Sequence, residues 1–155
     1  MEMDWFLLKK GDRIEGDDLV LEVKGLLPPI PSQNKVPTYK FHIRRKDSDE
    51  IVGEVSLRVG SNDVIDRFIG HIGYAVFKAR RGRGYAARAC LLLRDLVTRH
   101  GLRKVVITCN PENIASARTC EKLGAVLVGR EVVPPDHELY AHGVREKLRY
   151  EWLVG

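Results

Sequence analysis

Between Ile69 and Cys109 the chain passes from an apolar run, through a loop of glycine and arginine, into an alanine- and leucine-rich run and then a β-branched one. No other feature restricts the possible folds as much. Ile69 to Phe77 predicts a strand. Gly84 to Arg99 predicts a largely buried helix stopped by Gly101, and Lys104 to Cys109 (Lys-Val-Val-Ile-Thr-Cys) predicts a short strand. Strand, helix and strand in direct succession make a βαβ unit, for which a right-handed crossover is expected.

The remaining segments supply an α+β frame around that unit. Leu19 to Val23 reads as a short strand. Leu26 to Pro37 carries Pro28, Pro29, Pro31 and Pro37, which deny helix and ladder alike, so a long loop is expected. Tyr39, Phe41 and Ile43 alternate with Lys40, His42 and Arg44, and Ile51 to Val59 repeats the alternation after the polar turn Lys46 to Glu50. This predicts an antiparallel hairpin. Gly60 to Asp63 marks another turn. Asn113, with Ser116 three residues on, caps a second helix ending at Gly124. Ala125 to Val133 and Lys147 to Val154 read as the last strands, joined by a polar loop containing Pro134, Pro135, Asp136, His137, Glu138 and Tyr140. With 155 residues, 44% of them hydrophobic, and no repeat or linker, one domain over 1–155 is expected.

No apolar run approaches the ~20 residues of a membrane span, and Met1 to Lys10 lacks a signal-peptide pattern. A soluble, cytoplasmic protein without membrane contact is expected. Cys90, Cys109 and Cys120 are odd in number and widely spaced, which predicts reduced thiols and no metal site.

The loop Arg80-Arg81-Gly82-Arg83-Gly84-Tyr85-Ala86 is a candidate phosphate cradle. Glycines at 82 and 84 let a diphosphate approach the main chain, and the first amides of the following helix have no internal partners. Charge supports this reading. From Lys78 to Lys104 there are nine cations against Asp95 alone, in a chain whose net charge is +5. Such a block suits a polyanion. It also suits nucleic acid, but Tyr85 is its one aromatic residue, and without stacking groups nucleic acid is disfavoured.

From about Tyr39 to the C-terminus the chain resembles the GNAT superfamily of N-acetyltransferases, and within it the ribosomal-protein N-terminal acetyltransferases of the Rim type. Two signatures carry the resemblance: Arg81-Gly82-Arg83-Gly84-Tyr85-Ala86, and Asn113 with Ser116 and the closing Lys122-Leu123-Gly124. It implies a mixed central sheet of about six or seven strands with a splayed parallel pair. It also implies acetyl-CoA as co-substrate, its diphosphate on the backbone from Arg81 to Ala86 and its arm beside the strand ending at Val76 and Phe77. The amide of Val76 or Phe77 would polarise the thioester carbonyl. Asn113, Ser116 and Cys120 share one helical face, which would line the arm.

The resemblance also frames the catalytic candidates. Many members carry a tyrosine four residues before the closing glycine, as the acid for the leaving thiolate. Here that position is Cys120, either a substitute acid or a small packed residue. His71 shares a strand face with Gly73 and Ala75 where Rim-type sequences often have glutamate, so it is a candidate base. Glu54 is the second candidate. The polar loop from Asp136 to Tyr140 borders the acceptor site in this family, and the proline-rich segment replaces a helical pair near it. The implied activity is direct acetyl transfer to a primary amine, on a small molecule, a protein N-terminus or a lysine, with a homodimer as one arrangement. A sensor that binds acyl-CoA without turnover is the alternative.

Overall fold

The computed structural model describes residues 5–155. Five strands run side by side in chain order: β1 (Arg13–Glu15), β2 (Leu19–Leu27), β3 (Thr38–Arg45), β4 (Ile51–Arg58) and β5 (Ile72–Val76). A second sheet has β8 (Glu146–Leu153) between β6 (Lys104–Cys109) and β7 (Val126–Val132). Every pairing in both sheets is antiparallel. The helices are α1 (Tyr85–Arg99), α2 (Ile114–Leu123) and the single turn α3 (Glu138–Ala141).

The hairpin of β3 and β4 follows the alternation in its sequence. Tyr39, Phe41 and Ile43 face the core opposite Leu57, Val55 and Gly53. On that face lies α1, which buries Tyr85, Ala89, Cys90, Leu93, Leu96 and Val97, a stripe spaced at three and four residues. Each fully buried leucine of this kind contributes about 1.5–3 kcal/mol. The helix therefore fixes the loop that precedes it against the sheet.

The expected splay falls between β5 and β6, where it divides the strands into two sheets, and His71 marks the division. Its N–H donates to the Val106 carbonyl (2.7 Å), and its ring Nδ1 accepts the Val106 N–H (2.9 Å). One side chain thus stands in for a backbone carbonyl at the seam. Beyond His71, β5 and β6 share no ladder, and a cleft separates them.

Strand formation does not begin at Ile69, as expected, but at Ile72. Ile65–Ile69 forms a π turn closed by the Gly70 N–H on the Ile65 carbonyl (2.8 Å). Gly70 ends that turn with φ +72°, and a Cβ there would lie 2.7 Å from the Val106 carbonyl oxygen, so only glycine fits. The proline-rich segment is shorter than expected, since β2 runs on to Leu27, and it holds a 3-10 turn at Pro31–Gln33. α3 lies in the stretch read as a polar loop, and β1 in one for which the sequence predicts no element.

Candidate functional site

The glycine–arginine loop sits at the end of β5. Gly84 is the N-cap of α1, with φ +73°. A Cβ at Gly84 would meet Arg88 Nη1 at 3.2 Å and Lys122 Nζ at 3.6 Å. The first helical bond is Arg88 N–H to the Gly84 carbonyl (3.1 Å). Among the described residues, the amides from Gly82 to Ala87 have no acceptor. This row of free N–H groups at a helix start is an anion site in its elementary form.

Side-chain charge around the loop is uneven. Arg80 is neutralised by Glu50 through two hydrogen bonds, 2.7 and 2.9 Å, and Arg88 by Asp18 at 3.0 Å. Arg81, Arg83 and Lys122 have no carboxylate partner among the described residues. Lys122, read in the sequence only as part of the motif that closes α2, reaches the loop from that helix. Further along, Lys104 pairs with Glu151 at 3.3 Å, so the cation excess seen in the sequence is partly cancelled in space.

The register of β4 against β5 decides which backbone groups face the cleft. The Phe77 N–H donates to the Val52 carbonyl (2.8 Å), and the Arg58 N–H to the His71 carbonyl (2.7 Å). Ladder bonds alternate along an antiparallel strand. The odd-numbered positions of β5 therefore bond to β4, and the N–H and C=O groups of Ile72, Tyr74 and Val76 face the cleft. The Val76 carbonyl already receives Arg81 Nε (3.0 Å). Of the two amides singled out in the sequence, Val76 is available and Phe77 is engaged in the sheet.

The cleft itself has a volume of about 280 Å³. Tyr74 on β5 shares a hydrogen bond with Ser116 Oγ across it (2.7 Å). Asn113 caps α2 by accepting the Ser116 N–H (3.1 Å). Asn113 and Ser116 line the cleft, as expected of their common face. Cys120 does not. It is fully buried behind Tyr74, and burial pushes its thiol up to about 12. Burial likewise raises the Tyr74 phenol far above its ordinary value, so the hydroxyl keeps its proton.

Neither candidate base opens onto this space. His71 is 2% exposed. Besides the Nδ1 bond to Val106, its Nε2 lies 2.7 Å from Ser61 Oγ. An Nδ1 that accepts must be unprotonated, so Nε2 carries the hydrogen and donates to Ser61. Burial, partly opposed by Asp66, lowers its pKa and keeps the ring neutral. Glu54 on β4 pairs with Lys24, which holds its carboxyl below the usual range. Glu54 lies outside the cleft lining.

Two cations that sequence reasoning did not single out do line the cleft. Arg58, at the end of β4, donates from Nη1 to the Gly70 carbonyl (3.0 Å). Lys147, on β8, donates to Asn110 Oδ1 (3.2 Å). The polar loop reaches the cleft through Leu139 of α3. His137 caps α3 through Nδ1 (3.0 Å from Leu139 N) and packs its ring on Phe68, with centroids 4.8 Å apart.

A family model described as an acetyltransferase (GNAT) domain matches residues 20–126. The Bacillus subtilis protein YjdG, an uncharacterized N-acetyltransferase, is 33% identical over 86 residues, covering 55% of this chain and 49% of that protein. The chain thus spans about half the length of that curated relative. Among solved structures, the ribosomal-protein-S5-alanine acetyltransferase from Vibrio fischeri superposes with a TM-score of 0.66 at 16% identity, covering 92% of this chain and 97% of the other. Mycobacterium smegmatis RimJ, solved with CoA-disulfide, superposes with a TM-score of 0.57 at 23% identity over 75% of this chain and 53% of its own.

Proposed function

This chain belongs to the GNAT acetyltransferase family, and we propose that it transfers an acetyl group from acetyl-CoA directly to an amine in a ternary complex. The observation that carries the reading is the continuity of donors. The unpaired amides from Gly82 to Ala87 lead to the Val76 N–H, which faces the cleft between the two sheets. The residues suit the cofactor: the cradle lacks Cβ atoms where a diphosphate approaches, and Arg81, Arg83 and Lys122 supply uncancelled positive charge.

Acetyl-CoA supplies an activated acyl carbon. The Gly82–Ala87 amides hold its diphosphate, and Val76 N–H donates to the thioester oxygen as negative charge builds there. The amine nitrogen bonds to the acyl carbon, and the carbon–sulfur bond breaks with its electron pair on sulfur. Tyr74, protonated and hydrogen-bonded to Ser116 at the cleft wall, is the proton donor to that sulfur, in place of the enclosed Cys120. Among the described residues no carboxylate or imidazole lines the cleft, so the amine gives its proton to water. His71 serves as the joint between the sheets rather than as a base.

The direct test is amine-dependent release of free thiol from acetyl-CoA by the full chain, with the acetylated product identified by mass. Product formation supports transfer. Saturable acetyl-CoA binding with no product from any amine supports a sensor instead.

A further inference from the structure

The acceptor side of the cleft carries two cations from different sheets and no acid. Arg58 comes from the first sheet and Lys147 from the second, and both line the same small space, with no Asp or Glu among the lining residues. Neither has an ion-pair partner among the described residues. Other partly covered arginines do have one: Arg44 with Glu22 at 3.0 Å, Arg80 with Glu50 at 2.7 Å, and Arg149 with Glu151 at 3.0 Å. Arg58 feels no carboxylate, and Lys147 feels only the exposed Glu112 without pairing with it. Cations held partly away from water with so little counter-charge are costly, and a bound anion lowers that cost.

Local geometry leaves both cations free to take such an anion. Arg58 lies across Gly73 of β5, with Nη1 3.9 Å from where a Cβ on that glycine would stand. Of its five N–H donors, the strong bond is the one to the Gly70 carbonyl. Lys147 uses one donor on Asn110. Phe68, Ile69 and Leu139 supply an apolar wall beside them. Burial lowers the proton affinity of both groups, opposed at Lys147 by Cys109 and Glu112.

Resting on the reading of this cleft as the acetyl-transfer site, we infer that the acceptor is a small amine that itself carries an oxyanion, carboxylate or phosphate, held between Arg58 and Lys147. The anion supplies the missing counter-charge, and the guanidinium fork orients it. Among the described residues no carboxylate lines the cleft to hold an ammonium, so polyamines and other purely cationic amines are disfavoured.

The test uses the full chain with saturating acetyl-CoA and matched amines: β-alanine against propylamine, and phosphoethanolamine against ethanolamine. The expected result is that the anionic member of at least one pair has a kcat/KM at least about tenfold higher, and the pair that responds distinguishes carboxylate from phosphate. Arg58→Gln and Lys147→Met should each cut that advantage about fivefold or more while leaving the acetyl-CoA shift in thermal midpoint unchanged. Arg58 also supports the Gly70 turn, so Lys147→Met keeps the test sound if the Arg58 variant does not fold. If no small amine turns over, a midpoint rise with CoA plus the anionic but not the neutral member supports the inference, and no such difference overturns it. Acetylation only of an acidic peptide N-terminus would also overturn it. A normal acetyl-CoA shift with equal rates for both members sinks this inference alone, whereas no acetyl-CoA shift sinks the transferase reading beneath it.

Discussion

The two ends of the cleft are built by different means. The donor end is made of backbone: six consecutive amides from Gly82 to Ala87 and the cleft-facing N–H of Val76, all within one short stretch of chain. The acceptor end is made of side chains from β4, the π turn, β6, α3 and β8, which meet only after both sheets have formed. A backbone site tolerates change in most side chains but not in glycine, or in a residue whose N–H is used. A side-chain site can be retuned one residue at a time. On the proposed reading, specificity for the amine resides in the acceptor end and acetyl-CoA binding in the donor end.

The sharpest way to break this contrast is Val76→Pro. The Val76 N–H faces the cleft and makes no ladder bond, so proline there is compatible with the sheet while removing the proposed oxyanion donor. Loss of such a donor costs about 10²–10³ in kcat, and steady-state kinetics should show that fall with acetyl-CoA binding retained. Phe77→Pro, by contrast, would delete the bond to Val52 and act on stability.

His71 holds the two ends together, and its replacement should be felt by both. His71→Leu leaves the buried Val106 N–H without an acceptor, at a cost of about 1–3 kcal/mol, read as a lower denaturant midpoint. The pH dependence has a definite sign. Folded His71 has a pKa below its unfolded value of about 6.5. Between those two values the unfolded chain binds the extra proton, so stability is fully present above about pH 6.5 and is lost as pH falls toward the folded value. His100, half-buried beside Tyr39, is shifted the same way by burial. The acid loss should therefore shrink but persist in the His71 variant.

At the donor end, Gly84→Val forces a β-branched residue into φ +73°, a strain of roughly 1–2 kcal/mol, and crowds the cradle. Acetyl-CoA affinity should fall about tenfold or more, with the preference among amines unchanged. Tyr74→Phe is the mildest change. It removes the hydroxyl that shares a bond with Ser116, and kcat should fall roughly tenfold with no change in KM for the amine.

The same contrast explains what could be read from the sequence. A glycine loop between a strand and a helix is local, so the start of α1, its buried stripe and the limits of β6 were all legible, as was the Asn113 cap on Ser116. The start of β5 was not, because Gly70 looks like an ordinary strand residue until its positive φ and its contact with Val106 are seen. His71 has the residue type of a base, and only its two occupied ring nitrogens reveal a joint. Arg58 and Lys147 each read as one more charged residue on an alternating strand. Their pairing depends on how β5 and β6 separate, which no periodicity encodes.

The thermal unfolding midpoint during titration with acetyl-CoA, beside tripolyphosphate as a polyanion control, tests the central claim most directly. Ligand at 100 times its dissociation constant adds about 2.7 kcal/mol to stability. A saturable rise of that order with acetyl-CoA and little with tripolyphosphate is the predicted result. No rise, or an equal rise with both, would contradict an acetyl-CoA site and leave the loop a general anion patch.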